Sequence, residues 1–483
     1  NTVATTTIAP AVKVQVQDAG GNLVPTATNS ITIAVNNNPG SGTLSGTLIV
    51  AAVSGEAIFG DLSIDKVGSG YTLIASAGGL TSASSASFDI AVGAATQLAF
   101  TVQPSNTEAA AFISPAVKVQ VQDVGGNLVP TATDSITLAI NNNPGSGTLS
   151  GTLTLAAVSG EAIFNDISIG KAGTGYTLDA TATGLTTATS ASFDITVGAA
   201  TQLVYTVEPT NTAATVAISP AIKVQVHDAG GNLVPTATDS ITLAINNNPS
   251  GGTLSGTLTV SAVSGEASFS DIAIDAVGSG YTLDATATGL TTATSASFDI
   301  IPGVPVQLAF SVEPTNTASM ATISPAIKVR VEDSGGNLVP AATDSITLAI
   351  NNNPGSGTLS GTLTVSAVSG EAVFSGISID KVGSGYTLDA TATGLSTAAS
   401  STFVVSVGAA IQLAYIAEPM NAAATVSISP AIRVQVQDAG GNLVPTATDP
   451  VTLAINNNPG SGSLSGTLSV SAVSGVATFS DIS

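Results

Sequence analysis

Val14-Gln15-Val16-Gln17-Asp18-Ala19-Gly20-Gly21-Asn22-Leu23-Val24-Pro25 is the stretch on which the reading of this chain turns. Its first half alternates apolar and polar residues, the two-residue rhythm of a strand with one buried face. Its second half is a turn: an aspartate able to bond nearby backbone N–H groups, followed by glycines free to adopt positive φ. The stretch returns with its aspartate at Asp123, Asp228, Asp333 and Asp438, each 105 residues after the last. Solenoid units run to roughly 20 to 50 residues, so a period of this length corresponds to a whole small domain. The chain reads as a tandem array of one domain, in which number and spacing carry function.

Within one period the alternation predicts seven strands. In the first copy they contain Val12-Val14-Val16, Ile31-Ile33-Val35, Leu48-Val50, Ala57-Phe59 with Ile64 beyond a bulge, Tyr71-Leu73-Ala75-Ala77, Phe88-Ile90-Val92 and Leu98-Phe100-Val102. Turn signals separate them at Gly20-Gly21-Asn22, Asn36 to Gly40, Ser54-Gly55 and Gly68-Ser69-Gly70. Seven short strands in about 100 residues, with no helical spacing, predict an all-β fold of two packed sheets. The copies test the assignment of faces. Val12 becomes Ile222, Ile327 and Ile432, a mild inward change, whereas outward Gln17 becomes His227 and Glu332. Phe59, Tyr71, Phe88 and Phe100 recur with the period and are expected to anchor one core per copy.

Composition narrows the function classes. A hydrophobic fraction of 43 % against 8 % charged residues is the reverse of a disordered chain. The absence of cysteine removes disulfides and thiolate metal sites. A net charge of −22, with only nine Lys and Arg, opposes nucleic acid and anionic lipid, which demand basic patches. No apolar run approaches the roughly 18 to 20 residues of a membrane span. The expected partners are neighbouring repeats of the same chain, with self-association into a fibre as a further option.

The VQVQD run with Gly21-Asn22, NPGSGTLSGT at Asn38 to Thr47, GSGYTL at Gly68 to Leu73 and QLAFTV at Gln97 to Val102 together resemble bacterial Ig-like domain repeats, most closely those of invasin/intimin-type surface proteins. The resemblance covers the whole chain. It implies tandem Ig-like seven-stranded β-sandwiches in an extracellular bacterial setting, and that the QLAFTV strand opens each domain. The units are then 1–92 (lacking the first strand), 93–197, 198–302, 303–407 and 408–483 (lacking the last two strands). The connections, such as Val92 to Ala95 and Ile301-Pro302-Gly303-Val304-Pro305, are too short for flexible tethers. A semi-rigid rod is expected, each unit adding roughly 35 to 45 Å. The incomplete end copies are expected to mark a window onto a longer array.

Chemistry finds few candidates, and neither catalytic, cofactor-binding nor metal residues are assigned. His227, the one imidazole, sits at an outward position and is expected to be a solvated surface residue. The Asp18, Asp61 and Asp89 carboxylates are read first as turn caps, with interdomain calcium as the alternative, since such a site needs about six to eight converging oxygens. Lys13 lies on the polar face, unsuited to an internal Lys–Asn isopeptide bond. Thr177, Asp179, Thr181 and Thr183 form an outward row that matches either a β-favouring surface or a flat binding array. The expected role is therefore a non-enzymatic stalk or spacer of a surface adhesin or filament. The alternative is a multivalent module that binds glycan or a crystalline surface through repeated loops or Thr-rich faces.

Overall fold

A computed structural model describes residues 1–483, and the chain is all β, without a helix. In the second copy Gln97–Val102, Val117–Gln122 and Glu161–Phe164 form one antiparallel sheet. The facing sheet runs Thr107–Glu108, Phe193–Thr196, Gly173–Thr181, Ser135–Asn142, Thr154–Ala156. Its pairings are antiparallel except that Thr107–Glu108 lies parallel to Phe193–Thr196. The chain thus enters through one sheet and crosses to the other before its second long strand, the strand switch of an Ig-like sandwich. The array is a tandem of Ig-like β-sandwiches.

All seven expected strands are present, joined by four two-residue strands. One of these corrects an expectation. Ile64 does not continue the Phe59 strand past a bulge; it belongs to Ser63–Ile64, which pairs with Leu44–Ser45. The reason is the turn at Gly46, where the Asp61 carboxylate accepts from Thr47 N and Thr47 Oγ1 and pulls the chain into a separate short ladder.

Each sandwich closes on its own side chains. Buried clusters run from Leu98 to Ile195, Leu203 to Ile300, Leu308 to Val405 and Ile432 to Ile482, with no residue shared between them. Phe164 and Tyr176 are fully buried, and Tyr176 stacks obliquely on Phe193 with centroids 6.0 Å apart. The Tyr176 hydroxyl donates to Lys171 O at 2.8 Å, which satisfies its one polar atom. Burial raises its pKa. The fourth aromatic differs from expectation: Phe100, Tyr205 and Phe310 are only half-buried, because they sit on the edge strand that closes the sandwich rather than at its centre.

The end copies serve as internal controls. Val117 and Val119 are fully buried, whereas their equivalents Val12 and Val14 are half-buried, since no strand lies where Gln97–Val102 lies in the second copy. In the fifth copy Leu413 is 57 % exposed against 4 % for Leu203, because the strands that cover it elsewhere are not there.

Phe164→Ala is expected to cost about 3 to 5 kcal/mol through the lost contacts and the cavity left behind. Hydrogen exchange should quicken across the second copy and leave the amides of Leu308 to Val405 unchanged. Acceleration spread evenly along the chain would refute separate cores.

Candidate functional site: the joints between copies

The turn after the second long strand is where consecutive copies meet. Asp123 Oδ1 accepts from Gly125 N at 3.0 Å and Asn127 N at 2.9 Å, the bond pattern expected of a turn-capping aspartate. Its Oδ2 accepts from Gly93 N of the linker at 2.9 Å. The carboxylate therefore ties the turn to the connection that leads into its own domain, and Asp123 is fully buried. Asp228, Asp333 and Asp438 repeat the arrangement with Gly198, Gly303 and Gly408. Asp18 keeps the turn bonds to Gly20 N and Asn22 N and is exposed. Burial pushes the Asp228 carboxyl upward, yet the N–H groups of Asn232, Gly198 and Gly230 outweigh it and hold the carboxyl below its ordinary value.

With the turn fixed, the asparagine amide reaches the preceding copy. Asn127 Nδ2 donates to Asp65 O at 2.7 Å and Asn127 Oδ1 accepts from Val67 N at 3.1 Å, so one side chain brackets two backbone groups of its neighbour. Asn232 does the same with Gly170 and Ala172, Asn337 with Asp275 and Val277, Asn442 with Asp380 and Val382. The partners are backbone atoms, which is why Gly170 can stand where Asp65 does.

The two glycines have different duties. Gly126 has φ +72°, the left-handed turn position. Gly125 needs no such freedom; a Cβ there, or at Gly230, Gly335 or Gly440, would collide with a backbone oxygen of the preceding copy. At Gly20 the added atom would meet only Asn22 and Asp18 of its own turn. Sequence reasoning assigned both glycines to the turn and missed the contact between copies.

A cation completes three of the four joints. Lys66 Nζ donates to Gly125 O at 2.6 Å, Lys171 to Gly231 O at 2.8 Å and Lys381 to Gly440 O at 2.6 Å. At the third joint the equivalent residue is Ala276. His227 is thereby corrected: it faces outward on its strand but is half-buried at the second joint, with Nε2 3.0 Å from Gln225 Oε1. Burial and the nearby Lys171 ammonium hold its pKa below the usual imidazole value.

The remaining candidates separate. Calcium does not fit the joint aspartates, whose oxygens are occupied by N–H donors, whereas calcium demands a cage of oxygens. Asp61 and Asp89 serve other turns, through Thr47 and Gly70 N. Lys223 and Lys328, at the Lys13 position, pair with Glu266 and Glu371 on the outer face at 2.7 Å. The threonine row is shorter than expected: Thr183 lies in the turn after the strand. Thr177 Oγ1 accepts from Asn142 N, Asp179 accepts from Thr189 Oγ1 and Thr181 Oγ1 donates to Thr137 O, so every member of the row on the strand is engaged internally.

No family model matches the sequence, and no curated protein matches it. Among solved structures, the Escherichia coli adhesin FdeC is similar over 65 % of this chain and 96 % of its own, at 15 % identity and a TM-score of 0.25. Domains EC1-4 of Drosophila N-cadherin align over 82 % and 94 % at 12 % identity and 0.21, and a β-glycosidase from Bacteroides vulgatus over 43 % and 25 % at 12 % and 0.19. Likenesses this low carry no argument about function, and the fold assignment rests on the strand order described above.

Two outcomes follow from the joint. Gly230→Ala should force the second joint apart and expose Asn232 while leaving both adjoining cores folded, read by hydrogen exchange at Ala172 N against the core amides. Burial and the Lys171 ammonium hold the His227 pKa in the docked joint below the ordinary imidazole value. The undocked state thus binds more protons at low pH, so docking is fully present above that value and weakens as pH falls through it. Exchange at Ala172 N should rise on acidification relative to Val67 N, where Gln122 replaces the histidine, and His227→Gln should abolish the difference.

Proposed function

We propose that this chain is a load-bearing spacer, a non-catalytic stalk segment of a bacterial surface adhesin of the invasin/intimin type or of an extracellular filament. The observation that carries the reading is the recurrence of one bracket, an Asp-capped turn presenting an Asn amide to two backbone groups, at every joint. A joint built from directed hydrogen bonds on both sides opposes rotation between neighbours, which is what projection of a distal element requires. Invariance of the bracket while outer-face residues change class is the pattern of a scaffold.

The arrangement of the first and last strands supports the same reading. Thr107–Glu108, near the entry to the second copy, runs parallel to Phe193–Thr196, its exit, with Ala109 N donating to Thr196 O and Asp194 N to Asn106 Oδ1. Tension applied along the chain pulls these neighbours in opposite directions, loading their bonds together in shear rather than one at a time. The loops proposed for repeated ligand contact are largely engaged: the Gly125-to-Asn127 turn is spent on the joint, and Asn143 closes its own loop through Gly147 N and Gly147 O.

Pulling the chain from its ends should give discrete ruptures of equal size from the three complete copies. Each should release on the order of 340 Å, from a 105-residue repeat at about 3.6 Å per residue less its folded length. Extension without discrete steps would sink the spacer role. Binding to a glycan surface that climbs steeply with copy number would transfer the function to multivalent adhesion.

A further inference from the structure

The four joints share one bracket but differ in the pair of side chains that faces across it. At the first, Lys66 Nζ and Gln122 Oε1 both lie beside Gly126, and at the fourth Lys381 and Gln437 lie beside Gly441. At the second, Lys171 Nζ lies beside Gly231, and His227 stands at the position of Gln122. At the third, the lysine is Ala276 and the facing residue is Glu332, whose Oε2 lies beside Gly336. The one joint without an ammonium is thus the one with an additional carboxylate.

We infer that the third joint is the compliant, salt-responsive joint of the chain. Glu332 and Asp333 stand on one side of this joint and the Asp275 segment on the other, with Ala276 at the position that Lys66, Lys171 and Lys381 fill elsewhere. The basic side chains on the Glu332 strand, Lys328 and Arg330, are paired with Glu371. Repulsion between carboxylates of facing copies disfavours the docked state and is relieved by rotation apart. Salt screens it, the Debye length falling from about 10 Å at 0.1 M to about 3 Å at 1 M, so salt closes this joint. The other joints respond in the opposite sense or not at all, because there an ammonium bonds a carbonyl of the neighbour.

Two features at the joint oppose opening without removing the asymmetry. Thr215 Oγ1 and Ser334 Oγ meet across it at 2.5 Å, a neutral contact indifferent to salt. Pro302 and Pro305 restrict the linker torsions, but Pro305 lacks an N–H and stands where Ala200 pairs with Asp228 at the second joint. The inference concerns the relative stiffness of joints and does not depend on the spacer role.

The chain has no cysteine, so paired labels can be placed at will. Val158, Val263 and Val368 occupy the same hairpin in successive copies and are 75 to 76 % exposed. Spin labels at Val158→Cys with Val263→Cys, and at Val263→Cys with Val368→Cys, report the second and third joints of the full chain through pulsed dipolar spectroscopy. At low salt the distance distribution across the third joint is expected to be about twice as broad as across the second, and to narrow as screening increases. Ala276→Lys, which sets an ammonium opposite Glu332, should narrow it to the second joint's width and remove the salt response. Lys171→Ala should broaden the second. Pro302→Ala with Pro305→Ala should leave the salt response in place, separating charge from linker stiffness. Equal widths at both joints in low salt, or a third-joint distribution unmoved by both salt and Ala276→Lys, would overturn the inference.

Discussion

Everything beyond the single sandwich depends on one buried carboxylate at each joint. Asp123 stands where its own turn, its own linker and the preceding copy converge, and it orders all three by accepting N–H donors from Gly125, Asn127 and Gly93. A buried carboxylate is costly unless its oxygens are satisfied. That cost is the source of its directing power, since the turn and linker geometry that fills both oxygens is the one that sets Asn127 toward the preceding copy. Asn127 inherits a fixed position from this arrangement and converts a local turn into a contact sixty residues away. Without the aspartate the amide would have no reason to point at the neighbour.

The repeats also separate what the fold needs from what the joint needs. Core positions keep their class in every copy because each sandwich must fill its own interior. The Asp-x-Gly-Gly-Asn turn keeps its residues although it lies at the surface of a single sandwich, where turns tolerate change. Asp18 makes the distinction visible: its turn closes with the same bonds as the others, yet it is exposed and Gly20 has nothing from another copy near it. The turn is self-sufficient; the invariance of its first glycine answers to the neighbour.

This explains which parts of the structure were legible in the sequence. Strands, turns and separate cores follow from alternation and from local chemistry at Val14 to Pro25, both confined to one copy. Ile64 was misplaced because its short ladder is set by the Thr47–Asp61 contact, which no periodicity announces. Phe100 was assigned to the core because burial at an edge strand depends on which sheet closes over it. The joint was the largest omission. Its partners on the far side, Asp65 O and Val67 N, are backbone groups, so they leave no residue signature, and Gly170 can replace Asp65 without loss. His227 lies on the expected face but not in the expected environment, because its pairing with the Gln202 strand and the Lys171 ammonium of the preceding copy leave no mark in the local alternation. The available signal was the surface turn that varied less than its surroundings.

The scarcity of basic residues gives the joints their electrostatic character. A chain of net charge −22 repels itself along its length, and that repulsion acts most directly where acidic copies are pressed together. Of seven lysines, Lys66, Lys171 and Lys381 are placed at joints, where each bonds a carbonyl of the next copy. Their positive charge also offsets the carboxylates converging there, so a small number of cations is concentrated where it governs orientation rather than spread over the outer faces. A uniform array would carry the same pair at every joint. Here the pairs are Gln with Lys, His with Lys, Glu with Ala and Gln with Lys. Since the bracket itself is constant, these pairs are the variable through which copies of nearly identical fold acquire different mechanical behaviour, and the array holds local differences that its repetition conceals.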